Sequence, residues 1–161
     1  MGLFTKKSKP SQQAYAVVTG AGSGIGQSFA LELGKRGGTV VCADINLAAA
    51  EKTVALLTDL GAKGYAVACD VGQAAQVAEL AEKAEQLMQH PVTLVINNAG
   101  VGLGGKFDEL SLEDWQWVTH VNLWGVIHGC HYFVPKFKKL GHGAIINVAS
   151  AAGYTAAPEM T

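Results

Sequence analysis

The chain has 161 residues, 49% of them hydrophobic, and a formal net charge of −1. That length suits one domain with a substantial core, and that hydrophobic content excludes a disordered chain. The near-neutral balance excludes a global basic field for nucleic acid or anionic lipid, and no apolar run is long enough to span a bilayer. Lys6, Lys7 and Lys9, and later Lys136, Lys138 and Lys139, read as a solvated tail and a helix end. The polar, basic start lacks the apolar stretch of a secretory signal, so a cytoplasmic location is expected. The three cysteines, Cys42, Cys69 and Cys130, are widely spaced. They read as reduced thiols, with neither a disulfide framework nor a zinc site expected.

Residues 1–13 read as a flexible lead-in, and 14–161 as one domain. Tyr15 to Thr19 is a short, Val-rich, apolar run and predicts a buried strand. A Gly-rich turn, Gly20 to Gly26, follows. Phe29, Ala30 and Leu33 recur at helical spacing within Ile25 to Arg36, and Gly37-Gly38 ends that helix. Thr39 to Ala43 predicts a second strand, Leu47 to Leu60 a helix closed by Gly61, and Gly64 to Cys69 a third strand. Gln73 to Met88 predicts a helix that ends before Pro91. Val92 to Ile96 predicts a fourth strand. Ser111 to about Lys139 predicts one long helix, with Ser111 as cap and Asp114 three residues on. Ala144 to Val148 predicts a fifth strand.

Apolar strands alternating with helices predict an α/β fold, a doubly wound parallel sheet covered on both faces. Its expected strand order is 3-2-1-4-5. Ligands bind such sheets beyond the strand C-termini, where the two halves meet between strands one and four. Thr19-Gly20-Ala21-Gly22-Ser23-Gly24-Ile25-Gly26 falls at that point. Glycines let the backbone approach a pyrophosphate closely, and the helix N-terminus offers free N–H groups to its charge. No Lys-Ser/Thr pair follows, which disfavours a nucleoside-triphosphatase loop. Asp44, after strand two, can accept hydrogen bonds from ribose hydroxyls and would repel a 2′-phosphate. No Arg or Lys stands beside Ser23 or directly after Asp44. The cofactor expected is therefore NAD rather than NADP. The plainer reading of Asp44 is a turn or capping carboxylate.

These residues resemble the short-chain dehydrogenase/reductase family, and the resemblance runs along nearly the whole chain. The family's cofactor turn, Thr-Gly-x-x-x-Gly-x-Gly, is matched by Thr19, Gly20, Gly24 and Gly26. Its acidic-aliphatic pair after strand three is matched by Asp70 and Val71, and its Asn-Asn-Ala-Gly by Asn97, Asn98, Ala99 and Gly100. The resemblance implies a Rossmann-like fold and an oxidoreductase that interconverts a secondary alcohol and a ketone. It implies cofactor contacts at Gly20, Gly22, Ser23, Gly24, Ile25, Gly26, Asp44, Ile45, Asp70, Val71, Asn98, Ala99 and Gly100. Asp70 would meet the adenine amino group, small Ala99 and Gly100 would admit the nicotinamide ribose, and Asn98 would form a wall.

The family's catalytic Asn and Ser match Asn122 and Ser150. The resemblance gives Asn122 a water-holding place in a proton relay; the plainer reading is a hydrogen bond to neighbouring backbone. Ser150 would polarise the substrate oxygen, although a Ser after a strand is usually a turn former. The family's Tyr-x-x-x-Lys belongs on the next helix, about a dozen residues beyond Ser150 and past Thr161. Tyr154 does not replace it, because Pro158 stands four residues on. The chain is expected to be part of a longer protein and inactive alone. The alternative function is a non-catalytic NAD-binding protein of the same descent; a methyltransferase lacks support from the motifs. His128 and His131 share a helix face, but no third ligand or His-Glu-x-x-His pattern accompanies them, so no metal is expected. The long helix is apolar almost all round from Val121 to Phe137, and the resemblance implies a homo-oligomer through residues 111–139.

Overall fold

The computed structural model describes residues 9–155. Among the described residues there are five strands: β1 (Tyr15–Thr19), β2 (Thr39–Asp44), β3 (Lys63–Ala68), β4 (Leu94–Asn97) and β5 (Ala144–Asn147). All pair in parallel, in the order β3-β2-β1-β4-β5. The helices are α1 (Gly24–Lys35), α2 (Leu47–Asp59), α3 (Ala74–Met88), α4 (Leu112–Thr119) and α5 (Gly125–Leu140). This is the expected Rossmann-like α/β fold.

Period-two alternation along buried strands explains why both faces need helices. Val17, Val41 and Val95 point to one face, where they pack with Val77, Leu80 and Ala84 of α3 and Phe133 and Phe137 of α5. Ala16, Val18, Val40, Cys42, Leu94 and Ile96 point to the other, against Ala30 and Leu33 of α1 and Ala50 and Leu57 of α2. Every crossover returns the chain to the same end of the sheet before the next strand begins. The Gly-rich turn, Asp44, Asp70, Asn98 and Ser150 therefore all lie at or after strand C-termini on one side of the sheet.

The structure differs from the sequence reading in one element that matters. The predicted helix from Ser111 to Lys139 contains a π turn, His120–Trp124, between α4 and α5. Across it the Gly125 N–H donates to the His120 carbonyl, five residues back. The Ser111–Asp114 capping box is formed. Of the lead-in, Lys9 to Gln13 are held rather than loose: Gln13 N–H donates to the Arg36 carbonyl, and Arg36 donates to the Ser11 hydroxyl. Residues 1–8 and 156–161 lie outside the described residues.

Helix α5 is seated on the sheet by two devices. Lys136 Nζ reaches Glu82 at 2.7 Å and Glu85 at 2.9 Å, tying α5 to α3. Burial opposes the Lys136 charge, yet the two carboxylates outweigh it and raise its pKa above the ordinary lysine value. Closer to the sheet, Gly129 is buried against Asn97, and a Cβ there would lie within 2.9 Å of three atoms of the Asn97 amide. Gly129→Ala should therefore destabilise the protein. Overpacking costs about 1–3 kcal/mol, against a gain of about 1 kcal/mol in helix propensity. Thermal unfolding reads this as a lower Tm; an unchanged or raised Tm contradicts the close packing.

Candidate functional site

The site is built where β1 and β4 end side by side. The Thr19 hydroxyl accepts from the N–H groups of Asn98 (3.0 Å) and Ala99 (3.1 Å). In return the Asn98 amide donates to the Thr19 carbonyl at 2.9 Å and the Gly20 carbonyl at 3.4 Å. Both chain reversals are thus satisfied by each other's side chains, where the sheet has no further ladder to offer. Gly20 has φ +64° and a Cβ there would lie 2.9 Å from the Ala99 Cα, so two reasons require glycine.

The rest of the turn divides into packing and open positions. Gly22 approaches Asp44 closely: its N–H donates to Asp44 Oδ2 at 2.8 Å. Gly26 is buried under the Gly20 carbonyl and the Asn98 amide. Both serve the shape of the turn. Gly24, at φ +53°, faces open space. Ser23 makes no side-chain cap to α1, and the first turn of α1 carries no acidic residue. Its N–H groups and dipole are thus left for an anion. Ile25 beside them is exposed.

Asp44 holds two backbone groups, Gly22 N–H and Asn46 N–H (2.9 Å), one on each oxygen. The turn role anticipated for it is therefore real. A carboxylate has about four lone-pair sites, so acceptor capacity remains for hydroxyl groups.

Beyond β3 and β4 a cleft of about 240 Å³ opens, lined by Gly20, Ile45, Cys69, Asp70, Val71, Ala99, Gly100, Val101, Trp117 and Val121. Six of these were anticipated. Cys69, Val101, Trp117 and Val121 were not expected as cofactor contacts, although Trp117 and Val121 are four apart on one helical row, a spacing that puts them on a shared face. The cleft is apolar-walled with one carboxylate, Asp70, whose Oδ1 accepts from the Gly72 N–H at 2.9 Å. Burial, aided by Asp70 and Glu79, pushes the Cys69 thiol up to about 12, so it is not a nucleophile here. A larger cavity, about 540 Å³, is bordered by Lys9, Thr93, His142 and Gly143. It lies at the N-terminal edge of the strands, the opposite end from where parallel sheets place their chemistry.

Asn122 sits inside the π turn. Its Oδ1 accepts from the Val101 N–H and its Nδ2 donates to the Val101 carbonyl, each at 2.8 Å. That is the backbone hydrogen bonding anticipated as its plainer role. Ser150 follows β5, is exposed, and its hydroxyl accepts from the Ala152 N–H at 3.1 Å. It stands outside the cleft lining. Tyr154 is 95% exposed. One Tyr-x-x-x-Lys spacing does occur, Tyr132 to Lys136, but it precedes Ser150 and lies about 15 Å along the helix axis from Asn122. Lys136 is committed to Glu82 and Glu85, and Tyr132 packs against the core. His128 Nδ1 contacts the Val71 carbonyl at 2.9 Å, and His131 stacks edge-on to Tyr132.

Comparison with known proteins agrees with this geometry. The family profile described as short chain dehydrogenase matches residues 14–161. A cyclohexanol dehydrogenase of Acinetobacter sp. (strain SE19) is 42% identical over 139 residues, covering 86% of this chain and 55% of that protein. A C alpha-dehydrogenase of Sphingobium sp. (strain SYK-6) is 35% identical over 147 residues, covering 91% of this chain and 48% of its own. The crystal structure of a short-chain dehydrogenase/reductase from Burkholderia phymatum, in complex with NAD, superposes with a TM-score of 0.90 at 40% identity. That match covers 95% of this chain and 54% of the other. The chain spans about half the length of the curated relatives it matches. Its strand order, its glycine turn and a family match that runs from Ala14 to Thr161 make it a member of the short-chain dehydrogenase/reductase family.

Proposed function

We propose that this chain is the cofactor-binding part of an NAD-dependent oxidoreductase that interconverts a secondary alcohol and a ketone. One observation carries the reading. The uncapped α1 N-terminus, the Asp44 carboxylate and the apolar cleft with Asp70 at its wall all meet at the switch point of the sheet. A dinucleotide needs those three things: an anion seat, an acceptor for ribose hydroxyls, and a slot for a flat base with an amino group.

When bound, NAD supplies the hydride acceptor. The chain's own residues do the rest. First-turn N–H groups of α1, with Gly24 leaving room, hold the pyrophosphate. Asp44 takes the ribose hydroxyls and rejects a 2′-phosphate, which selects NAD over NADP. Ile45, Val71, Trp117 and Val121 flank the adenine, and Asp70 accepts its amino hydrogen. Asn98, Ala99 and Gly100 form the wall on the nicotinamide side. The Ser150 hydroxyl, which accepts from Ala152 N–H, retains its proton to donate to the substrate oxygen. Asn122 supports the proton relay. The acid/base itself lies outside the described residues.

A non-catalytic NAD-binding protein remains the second reading, because the Ser150 and Asn122 side chains each have a structural partner. The exposed apolar residues Leu123, Trp124 and Ile127 on the π turn and α5 fit a homo-oligomer through this helix.

Asp44→Asn should weaken NAD binding by about tenfold, the worth of a charge-assisted hydrogen bond, and narrow the preference over NADP. Calorimetric titration with both dinucleotides checks it, and an unaltered NAD/NADP ratio contradicts the assignment. Ser150→Ala should lower kcat by about 100-fold with NAD affinity intact. Steady-state oxidation of a panel of secondary alcohols by the intact protein measures this; full turnover in the variant contradicts the role given to Ser150, and no turnover in the wild type favours the second reading. Sedimentation equilibrium of the intact protein at micromolar concentration should give a multimer; a lone monomer sinks the oligomer.

A further inference from the structure

The loop after β3 carries two cleft residues, Asp70 and Val71, and must be held at a fixed height for either to be useful. Its own hydrogen bonds close it from the front. Asp70 N–H donates to Gln76 Oε1 at 2.8 Å, Gly72 N–H to Asp70 Oδ1, and Gln73 N–H to the Asp70 carbonyl. From behind, the loop rests on the helix that contains the π turn. Val71 is buried, and a Cβ on Gly125 would lie 2.7 Å from Val71 Cγ2, so helix backbone and Val71 side chain touch with nothing between. Three residues further along the helix, half-buried His128 brings Nδ1 to 2.9 Å from the Val71 carbonyl. A carbonyl only accepts, so Nδ1 carries the proton.

We propose that His128 is a positioning residue for the adenine half of the cofactor. It acts through Val71 and touches neither cofactor nor substrate. By donating to the Val71 carbonyl it fixes the Asp70–Gly72 loop against the helix, and so sets where the Asp70 carboxylate and the Val71 wall stand in the cleft. This rests on the NAD reading above. It couples the adenine wall to the helix segment that carries Asn122.

The test is calorimetric titration of the intact protein with NAD, AMP and nicotinamide mononucleotide, for wild type, His128→Ala and His128→Asn. An Asn amide can donate from nearly the place of Nδ1. The expected result is a loss of about five- to tenfold in NAD and AMP affinity for His128→Ala, the worth of one hydrogen bond. Affinity for nicotinamide mononucleotide should be unchanged, and His128→Asn should regain most of the loss. A structural role alone would weaken all three ligands together and give no rescue, and that pattern overturns the proposal. So does unchanged NAD affinity in His128→Ala. Wild type that binds none of the three ligands overturns the cofactor reading itself, and the proposal with it.

Discussion

The reciprocal bonding between Thr19 and Asn98 is the constraint on which the site depends. In a parallel sheet the strand ends have no hairpin to close them, and their last backbone groups must find partners elsewhere. Here the last residue of β1 and the first residue after β4 supply each other. One hydroxyl takes two N–H groups, and one amide gives to two carbonyls. Because the partners belong to neighbouring strands that diverge immediately afterwards, the knot fixes the crevice between the two halves of the sheet. Gly20 then passes within van der Waals limits of Ala99, and the turn that follows has only one path.

A second frame comes from the helix that crosses behind the cleft. It touches two loops and the end of a strand through three different contacts. Asn122 holds the backbone of Val101, His128 holds the carbonyl of Val71, and Gly129 lets the helix sink onto Asn97. An uninterrupted α-helix fixes residues 122, 128 and 129 at set rotations of about 100° each. The π turn spreads one turn over an extra residue between α4 and α5 and so changes which residues face the sheet together. Helices use such single-turn bulges where a regular row cannot serve two neighbours at once.

Much of this was legible in the sequence, and the pattern of what was not is physical. The strands were legible from burial, since the runs that hold Val17, Val41 and Val95 are apolar as fully buried strands are, and the strand order from their alternation with helices. Gly20, Asp44 and Asn98 were legible because positive φ, a carboxylate after a strand and an amide at a strand end each demand a particular residue type. The π turn was not, since His120 to Trp124 carry ordinary helical residues and the bulge is decided by what the helix packs against. Trp117 and Val121 were hidden for the same reason: an apolar helical row looks alike whether it faces a core or a cleft. Gly22 and Gly26 were expected at the cofactor, and their contacts with Asp44 and with the Gly20 carbonyl give glycine a packing role there as well, which the sequence alone did not separate from it. His128 drew attention only as a metal ligand, because its partner is a backbone carbonyl 57 residues away.

The double use of polar groups narrows how the site can work. Asp44 spends one bond per oxygen on the backbone that shapes the turn, so its remaining lone pairs are oriented before any ligand arrives. Asn122 spends both ends of its amide on Val101, so its side chain cannot swing toward a reacting atom. Any water held there is held by the remaining lone pair and N–H of a clamped amide, or by backbone freed at the π turn. Preorganisation of this kind removes the rotational freedom that a free side chain would lose on binding. It also means that substitutions at Asp44 or Asn122 disturb the loop each residue holds, in addition to any effect on the proposed chemistry. Among the described residues the Ser150 hydroxyl serves only as a local turn acceptor. Its removal therefore separates chemistry from architecture more cleanly than either of the other two.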